Sequence, residues 1–450
     1  MKNKPSLSRR KFLGRAAAAG AVGVVAPAFI HSCAPSQDLK EVEYPLCSML
    51  DEAPDGTVLK AGLIGCGGRG TGAAQNFLDA GPNLKIVALA DVIPDKLAAT
   101  KETLAKKKDN VVPDENCFIG FDAYEKLLDL DLDIVLIATP PHFRPIHVEA
   151  AVQARKHIFM EKPVAVDPQG ARSIMASAKK AEGLGLCMVA GTQRRHQRNY
   201  VETYKKVAGG MIGELTGGNV YWNGGKLWHR DPNANWNEME YMIRNWVNWI
   251  WLSGDHIVEQ HVHNLDVAHW FFGSHPVKAL GFGSRQRRVT GDQYDNFSID
   301  FVFEDGRHLH SMCRQINGCN GGVYERLQGQ NGSTNAKDIV NGLNGETLWE
   351  YPYELDEEGK RKGFLSPYVQ EHVDLVNAIR TDTPINEGEN VAKSTMLAIM
   401  GRISAYTGKE TTWDEMMNTD LKLGPKVYAM GNVEVDRAVP VPGEAWKAKA

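Results

Sequence analysis

Cysteine is scarce, seven in 450 residues, and no two are spaced as CxxC. A zinc ribbon and a dense disulfide framework are thereby excluded. Only Cys313 and Cys319 stand as a pair that an oxidising compartment could join, while Cys66, set among glycines, is expected to stay a thiol. An excess of either charge is also missing: 51 Lys and Arg face 55 Asp and Glu, for a formal net charge of -4. No basic surface of the kind that binds nucleic acid is indicated. Internal repeats, long low-complexity tracts and a metal spacing such as HExxH are absent too. The longest early apolar run, Ala16 to Ile30, is too short to span a bilayer. What remains is 43% hydrophobic and 24% charged, enough for a large core and two or three domains.

The first 33 residues read as an address. Ser8-Arg9-Arg10-Lys11-Phe12-Leu13 precedes the Ala-rich run, and this order resembles a twin-arginine export signal, which implies a periplasmic protein that folds before it is moved. Ile30-His31-Ser32-Cys33 is similar to a lipoprotein box, with His31 unusual at its place, so Cys33 is a candidate lipid anchor. Residues 34–57 are polar and proline-broken and read as a tether.

The rest is organised around Val58-Leu-Lys-Ala-Gly-Leu-Ile-Gly65-Cys-Gly67-Gly68-Arg69-Gly70, an apolar strand that breaks into glycines before a helical stretch, Thr71 to Ala80. In the fingerprint GxGxxG the first glycine makes a tight turn, the second admits a pyrophosphate and the third lets helix and strand close together; Gly65, Gly67 and Gly70 take those places. A second strand, Lys85 to Ala90, ends at Asp91, about 20 residues on, where a carboxylate holds ribose hydroxyls. That acid favours NAD over NADP. Alternation continues with helices at Lys96–Lys107, Ala123–Leu130 and Ile146–Ala154 and strands at Asp133–Ala138 and His157–Met160, so residues 58–190 form a Rossmann domain with a parallel sheet. Thr139-Pro140-Pro141-His142 and Glu161-Lys162-Pro163 follow two of these strands, at the sheet edge where cofactors sit.

Taken in this order, the glycine loop, the acidic strand end, the Thr-Pro-Pro element with its histidine and Glu-Lys-Pro resemble the Gfo/Idh/MocA oxidoreductases, from Leu59 to about Thr412. The resemblance implies NAD as cofactor, a second α/β domain at 191–422 with a large open, mainly antiparallel sheet, and a homo-oligomer built on that sheet. It implies that Gly65, Gly67, Gly68, Arg69, Gly70, Asp91, Thr139, Pro140, His142, Glu161 and Lys162 hold the cofactor, and that Lys162 lies beside the nicotinamide and the substrate hydroxyl.

Six of the ten tryptophans, Trp222, Trp228, Trp236, Trp246, Trp249 and Trp251, fall within about thirty residues. Most of any such set packs in a core, but tryptophan faces also stack on sugars, and Trp222 and Trp228 are taken as substrate contacts. Next comes Asp255-His256-Ile-Val-Glu259-Gln-His261-Val-His263-Asn-Leu-Asp266-Val-Ala-His269-Trp270. As one helix it would set His256, Glu259, His263, Asp266 and Trp270 within about 80° of arc, with His261 pointing away. A histidine between carboxylates is a tuned proton carrier. By resemblance to the family's DxxxH, His263 is the general base and Glu259 replaces the aspartate, with Lys162 and Glu259 also catalytic and His256 and Asp266 near the substrate. A metal held by His256, Glu259 and His263 is the rival, although that spacing matches no established motif.

Beyond Pro276, strands are expected at Val277–Phe282, Tyr294–Phe303 and Arg307–Met312, loops at Gly318–Gly345, and helices at Tyr368–Arg380 and Val391–Tyr406. Residues 423–450 form an extension with no readable pattern. The chemistry expected is hydride transfer on a sugar, polyol or glycoside. The alternatives are a redox-neutral glycosidase or lyase, as in the NAD-dependent N-acetylgalactosaminidases of this fold, and a non-catalytic sugar-binding protein. Replacing Arg9 and Arg10 by lysine is expected to leave the protein in the cytoplasm, as measured by fractionation; undiminished periplasmic yield would refute the signal.

Overall fold

The computed structural model describes residues 39–108, 110–444 and 446, so the expected export signal and Cys33 lie outside the described residues. From Leu59 the chain alternates: β1 (Leu59–Ile64), α1 (Gly68–Asp79), β2 (Leu84–Asp91), α2 (Pro94–Ala105), β3 (Cys117–Ile119), α3 (Ala123–Leu128), β4 (Ile134–Ile137), α4 (Arg144–Gln153), β5 (His157–Met160), α5 (Pro168–Gly183) and β6 (Met188–Ala190). The six strands are parallel in the order β3-β2-β1-β4-β5-β6. Every residue of β4 is buried, because helices cover both sheet faces, and its sequence is accordingly continuous Ile-Val-Leu-Ile rather than alternating. Strand order reverses between β1 and β4, which opens a crevice at their carboxyl ends.

After α6 (Arg198–Ala208), β7 (Leu215–Gly224) begins a second sheet. Helices α7 (Glu238–Arg244), α8 (Ile250–Ser253), α9 (His256–Glu259) and α10 (Val262–Phe272) lead to β8 (Lys278–Ser284), β9 (Asn296–Val302), β10 (His308–Gln315), β11 (Gly322–Gly329), β12 (Gly332–Thr334), β13 (Ile339–Gly342) and β14 (Thr347–Glu350). The chain closes with α11 (Pro367–Arg380), α12 (Gly388–Thr407), β15 (Thr411–Thr412) and α13 (Trp413–Asn418). The nine strands run β14-β13-β12-β11-β7-β10-β9-β8-β15, with β7 and β10 parallel and the other pairs antiparallel.

Three expectations fail here. Gly318–Gly345 is not loop but holds β11, β12 and β13. Its glycines serve close strand approach: a Cβ on Gly332 would lie 2.1 Å from Asn341 O, and one on Gly329 2.4 Å from Ile212 O. Cys313 and Cys319 are both free, the first buried on β10 and the second exposed. The helix expected from Asp255 to Trp270 is two helices, α9 and α10, separated at Gln260–His261.

The late helices return to the first sheet. Val369, Val373 and Val376 of α11 share a core with Phe77 and Phe159, and Val391 and Ala392 of α12 join Ile158 and Met188 on the other face.

Between the helices and the second sheet, His261 is fully buried, its Nε2 2.7 Å from Ser311 Oγ on β10. Burial, then the charges of His256 and Arg194, push its pKa down to about 3. In the unfolded chain the same imidazole takes a proton near 6.5, so the unfolded state binds more protons in between and stability falls as pH drops through that window. His261→Gln is therefore expected to lose about 2 to 3 kcal/mol less than the unmutated chain between pH 7 and 4.5, from about two pKa units at 1.36 kcal/mol each. Urea melts at the two pH values measure this, and equal losses would refute it.

Candidate active site

The glycine loop between β1 and α1 meets three different steric demands. Gly65 has φ +98°, a left-handed turn, and a Cβ there would strike Thr139 N at 2.6 Å. Gly67 and Gly68 face open space, with nothing within 4 Å of an added Cβ. At Gly70 a Cβ would sit 1.8 Å from Gly65 O, so only glycine lets α1 pack this close to β1. Helix α1 starts at Gly68, earlier than the expected Thr71, and its first turn carries no acidic residue. Its free N–H groups and helix dipole thus face a cavity of about 840 Å³.

Asp91 closes β2 and lines the same cavity. Its carboxylate accepts from Cys66 N (2.6 Å) and Ile93 N (2.8 Å), which ties it to the glycine loop. Burial raises its pKa, against the lowering effect of those N–H groups. Thr139, Pro140, Glu161, Lys162 and Arg69 line the cavity as well. Arg69 is drawn sideways: its Nε pairs with Glu161, and its guanidinium lies 4.8 Å from the Tyr368 ring centroid. His142 does not reach the cavity. The turn Pro141–Phe143 carries its ring inward against Trp251, and its Nε2 sits 2.8 Å from Tyr428 OH. His147, one helical turn into α4, lines the cavity instead, its Nδ1 3.2 Å from Thr139 Oγ1.

At the other end of the cavity stand Lys162, Glu259 and His263. Lys162 Nζ donates to the main-chain O of Glu259 at 2.5 Å and lies 3.3 Å from its Oε1. An ammonium has three donors, so one stays free for a ligand. His263, in the first turn of α10, stacks on Trp222 with centroids 5.6 Å apart and planes at 19°. Burial first, then the charges of Lys162, Arg194 and Arg69, hold its pKa well below the ordinary histidine range. It is a neutral imidazole at pH 7, able to accept a proton.

The helix break disperses the rest of the expected face. Its 100° phase does not carry across Gln260–His261, so His256 turns away, bonded to Asp255 at 2.9 Å and packed on Phe297. Asp266 is committed to a buried fork with Arg195 (2.9 to 3.1 Å) and to Ser394 Oγ, and takes no part beside His263. His261 lies away from this face, buried with its Nε2 on Ser311 of β10. The metal rival loses His256, and among the described residues no group of three or more His, Cys, Asp or Glu side chains could hold a metal ion. Trp222 meets the site only through His263, whereas Trp228, 45% exposed with Arg230 over its ring, lines the cavity.

Several lining residues were not foreseen. Arg144, buried below Lys162-Pro163, donates to Pro163 O, has no carboxylate within ion-pair distance among the described residues, and is pushed down to about 10 by burial. It stands two residues past His142, so the Thr-Pro-Pro element held the clue. Trp246 lay within the tryptophan cluster. Tyr368 and Tyr428 come from distant segments that carried no local signal.

The description "Oxidoreductase family, NAD-binding Rossmann fold" matches residues 59–190, and "Oxidoreductase family, C-terminal alpha/beta domain" matches 205–408. The chain is 29% identical over 241 residues, 53% of its length and 60% of the relative's, to an inositol 2-dehydrogenase of Acidothermus cellulolyticus. It is 35% identical over 111 residues, 24% of its length and 23% of the relative's, to Glycosyl hydrolase family 109 protein 1 of Bacteroides fragilis. It thus spans at most about 60% of these relatives. A crystal structure of scyllo-inositol dehydrogenase from Lactobacillus casei, with bound NAD(H) and scyllo-inositol, superposes with a TM-score of 0.58 at 21% identity over 79% of this chain and 99% of that one, which shows a shared fold. The cavity suits the cofactor those descriptions name: backbone open at Gly67 and Gly68, a helix N-terminus, and Asp91 at the strand end. Both sheets fall under matched segments, and the chain belongs to the Gfo/Idh/MocA oxidoreductase family.

Proposed function

We propose that this chain is an exported NAD-dependent dehydrogenase acting on a CH–OH group of a sugar, polyol or glycoside. The observation that carries the reading is a neutral histidine, His263, and a lysine with a spare donor, Lys162, lining the cavity into which the glycine loop opens. NAD, when bound, supplies the hydride acceptor. His263 takes the hydroxyl proton as the C–H bond breaks, which a neutral imidazole can do and an imidazolium cannot. The free N–H of Lys162 stabilises the alkoxide character that develops on the same oxygen. Glu259 holds Lys162 in place through two acceptors. Trp228 and Trp246 give the cavity flat apolar faces suited to a sugar ring. Export to the periplasm is supported by Arg9-Arg10 and the apolar run behind them.

The likeness to a glycosyl hydrolase family 109 protein favours a second reading. Oxidation at one carbon would acidify its neighbour, a glycosidic bond would be eliminated, and the carbon would be reduced again, with no net redox change.

A homo-oligomer is supported by the outer face of the second sheet. Phe282, Ser298, Met312, Tyr221 and Tyr324 form one row across five strands in register. Phe282 is 74% exposed and Tyr324 49%. Phe282→Asp is expected to shift the protein to a smaller species in sedimentation; an unchanged mass would place any interface elsewhere.

His263→Ala is expected to slow single-turnover oxidation by about 10² to 10⁴ while NAD affinity stays nearly constant. An unchanged rate would remove His263 from the chemistry. A glycoside panel read at 340 nm and for sugar release separates the readings: absorbance without release supports the dehydrogenase, release without absorbance supports cleavage, and neither leaves a sugar-binding protein.

A further inference from the structure

We propose that residues 423–444, beyond both matched segments, are a strap that with α7 holds the dinucleotide in its cavity, so that NAD(H) is a resident group rather than an exchanging substrate. The proposal rests on reading the cavity as a NAD site.

The strap has no helix or strand and carries Val427 and Met430 exposed to solvent, yet it is pinned along its length. Leu423 N donates to Asp167 Oδ2 at 2.8 Å, at the head of α5. Gly424, at φ +99°, lies so close to the His142 ring that a Cβ would come within 2.5 Å of it. Tyr428 then turns inward, bonds His142 and stacks on Phe121 at 6.2 Å. Farther on, Met239 N donates to Gly431 O (2.9 Å), Val433 N to Glu238 Oε2 (2.6 Å) and Tyr294 OH to Pro440 O (2.8 Å). Trp446 ends the run against Tyr406.

The bonds of Gly431 and Val433 fasten the strap to the first turn of α7. The last residue of that helix, Arg244, reaches the first domain, where its Nη1 donates to Asp95 Oδ2 at 3.0 Å in α2. Tyr428, Ile243, Arg244 and Trp246 line the cavity together with Phe121 and Asp91. Phe121 lies two residues beyond Ile119, which pairs with Asp91, so Tyr428 stands near the carboxylate that holds the adenosine ribose. Among the fasteners to the first domain, Tyr428 on His142 and Arg244 on Asp95 are those whose side chains also line the cavity. They come from different segments, and loss of either is expected to ease the release of a ligand seated on the glycine loop.

The test loads the full chain with NADH and chases it with excess NAD, following nicotinamide fluorescence. Tyr428→Ala and Arg244→Met are each expected to release NADH at least about ten-fold faster than the unmutated chain, because lost contacts act mainly on the dissociation rate. Tyr428→Phe, which keeps the ring on Phe121 but loses the bond to His142, is expected to fall between the unmutated chain and Tyr428→Ala, and Leu343→Ser, in an exposed turn between β13 and β14 at the edge of the second sheet, to match the unmutated rate. The two fast variants lie on separate elements, and each is checked by its melting curve. Unmutated rates in both Tyr428→Ala and Arg244→Met would overturn the strap while the NAD reading stands. A chain that binds no NADH would overturn that reading and the strap with it.

Discussion

The closest approach in the site is that of α1 to β1, where the Gly70 α-carbon faces Gly65 O with no space for a side chain. Because the helix can come that near, its N-terminus lands at the carboxyl end of the sheet and aims its unsatisfied N–H groups into the crevice at the switch in strand order. Asp91 reinforces the arrangement by accepting from Cys66 N, inside the loop itself. A carboxylate at the strand end that also fixes the turn couples the glycine loop to β2. Any side chain at position 70 would push helix and strand apart and loosen both.

Across the cavity the chemistry depends on how charge is distributed. Asp266 and Arg195 neutralise each other in a buried fork, and Glu259 is turned to Lys162. Among the described residues no carboxylate pairs with His263, which faces the positive charges of Lys162, Arg194 and Arg69 and stacks on Trp222. Both the absence of a counter-ion and the burial favour the neutral ring. The neutral ring of His263 thus follows from its cationic and apolar surroundings, in place of the two carboxylates expected from helical spacing.

The two sheets are joined by elements that come late in the chain. Helices α11 and α12 complete the cores on the two faces of the first sheet, and the strap runs from Asp167 past His142 to α7. The cavity is therefore walled by segments far apart in the chain, from Ile64 to Tyr428.

The sequence by itself determined whatever is local. Rossmann strands are buried on both faces and so are written as continuous apolar runs, and the glycine loop, Asp91 and Lys162 sit at strand ends whose order along the chain is their order in the fold. The first sheet and the glycine loop at its carboxyl edge were legible for that reason, whereas Lys162 and His263 were singled out by the family resemblance. Tertiary structure alone decided the rest. The break at Gln260–His261 sent His256 to another partner, Arg195 and Ser394 took up Asp266, and the turn at Pro141–Phe143 buried His142. Gly329 and Gly332 read as loop residues because the strands that crowd them, and make glycine necessary, lie elsewhere in the chain. Tyr428 carries no periodicity and no motif; its place follows from a hydrogen bond to a histidine 286 positions away. A contact at that separation leaves no mark on neighbouring residues, since what selects the tyrosine is the surface it meets after folding.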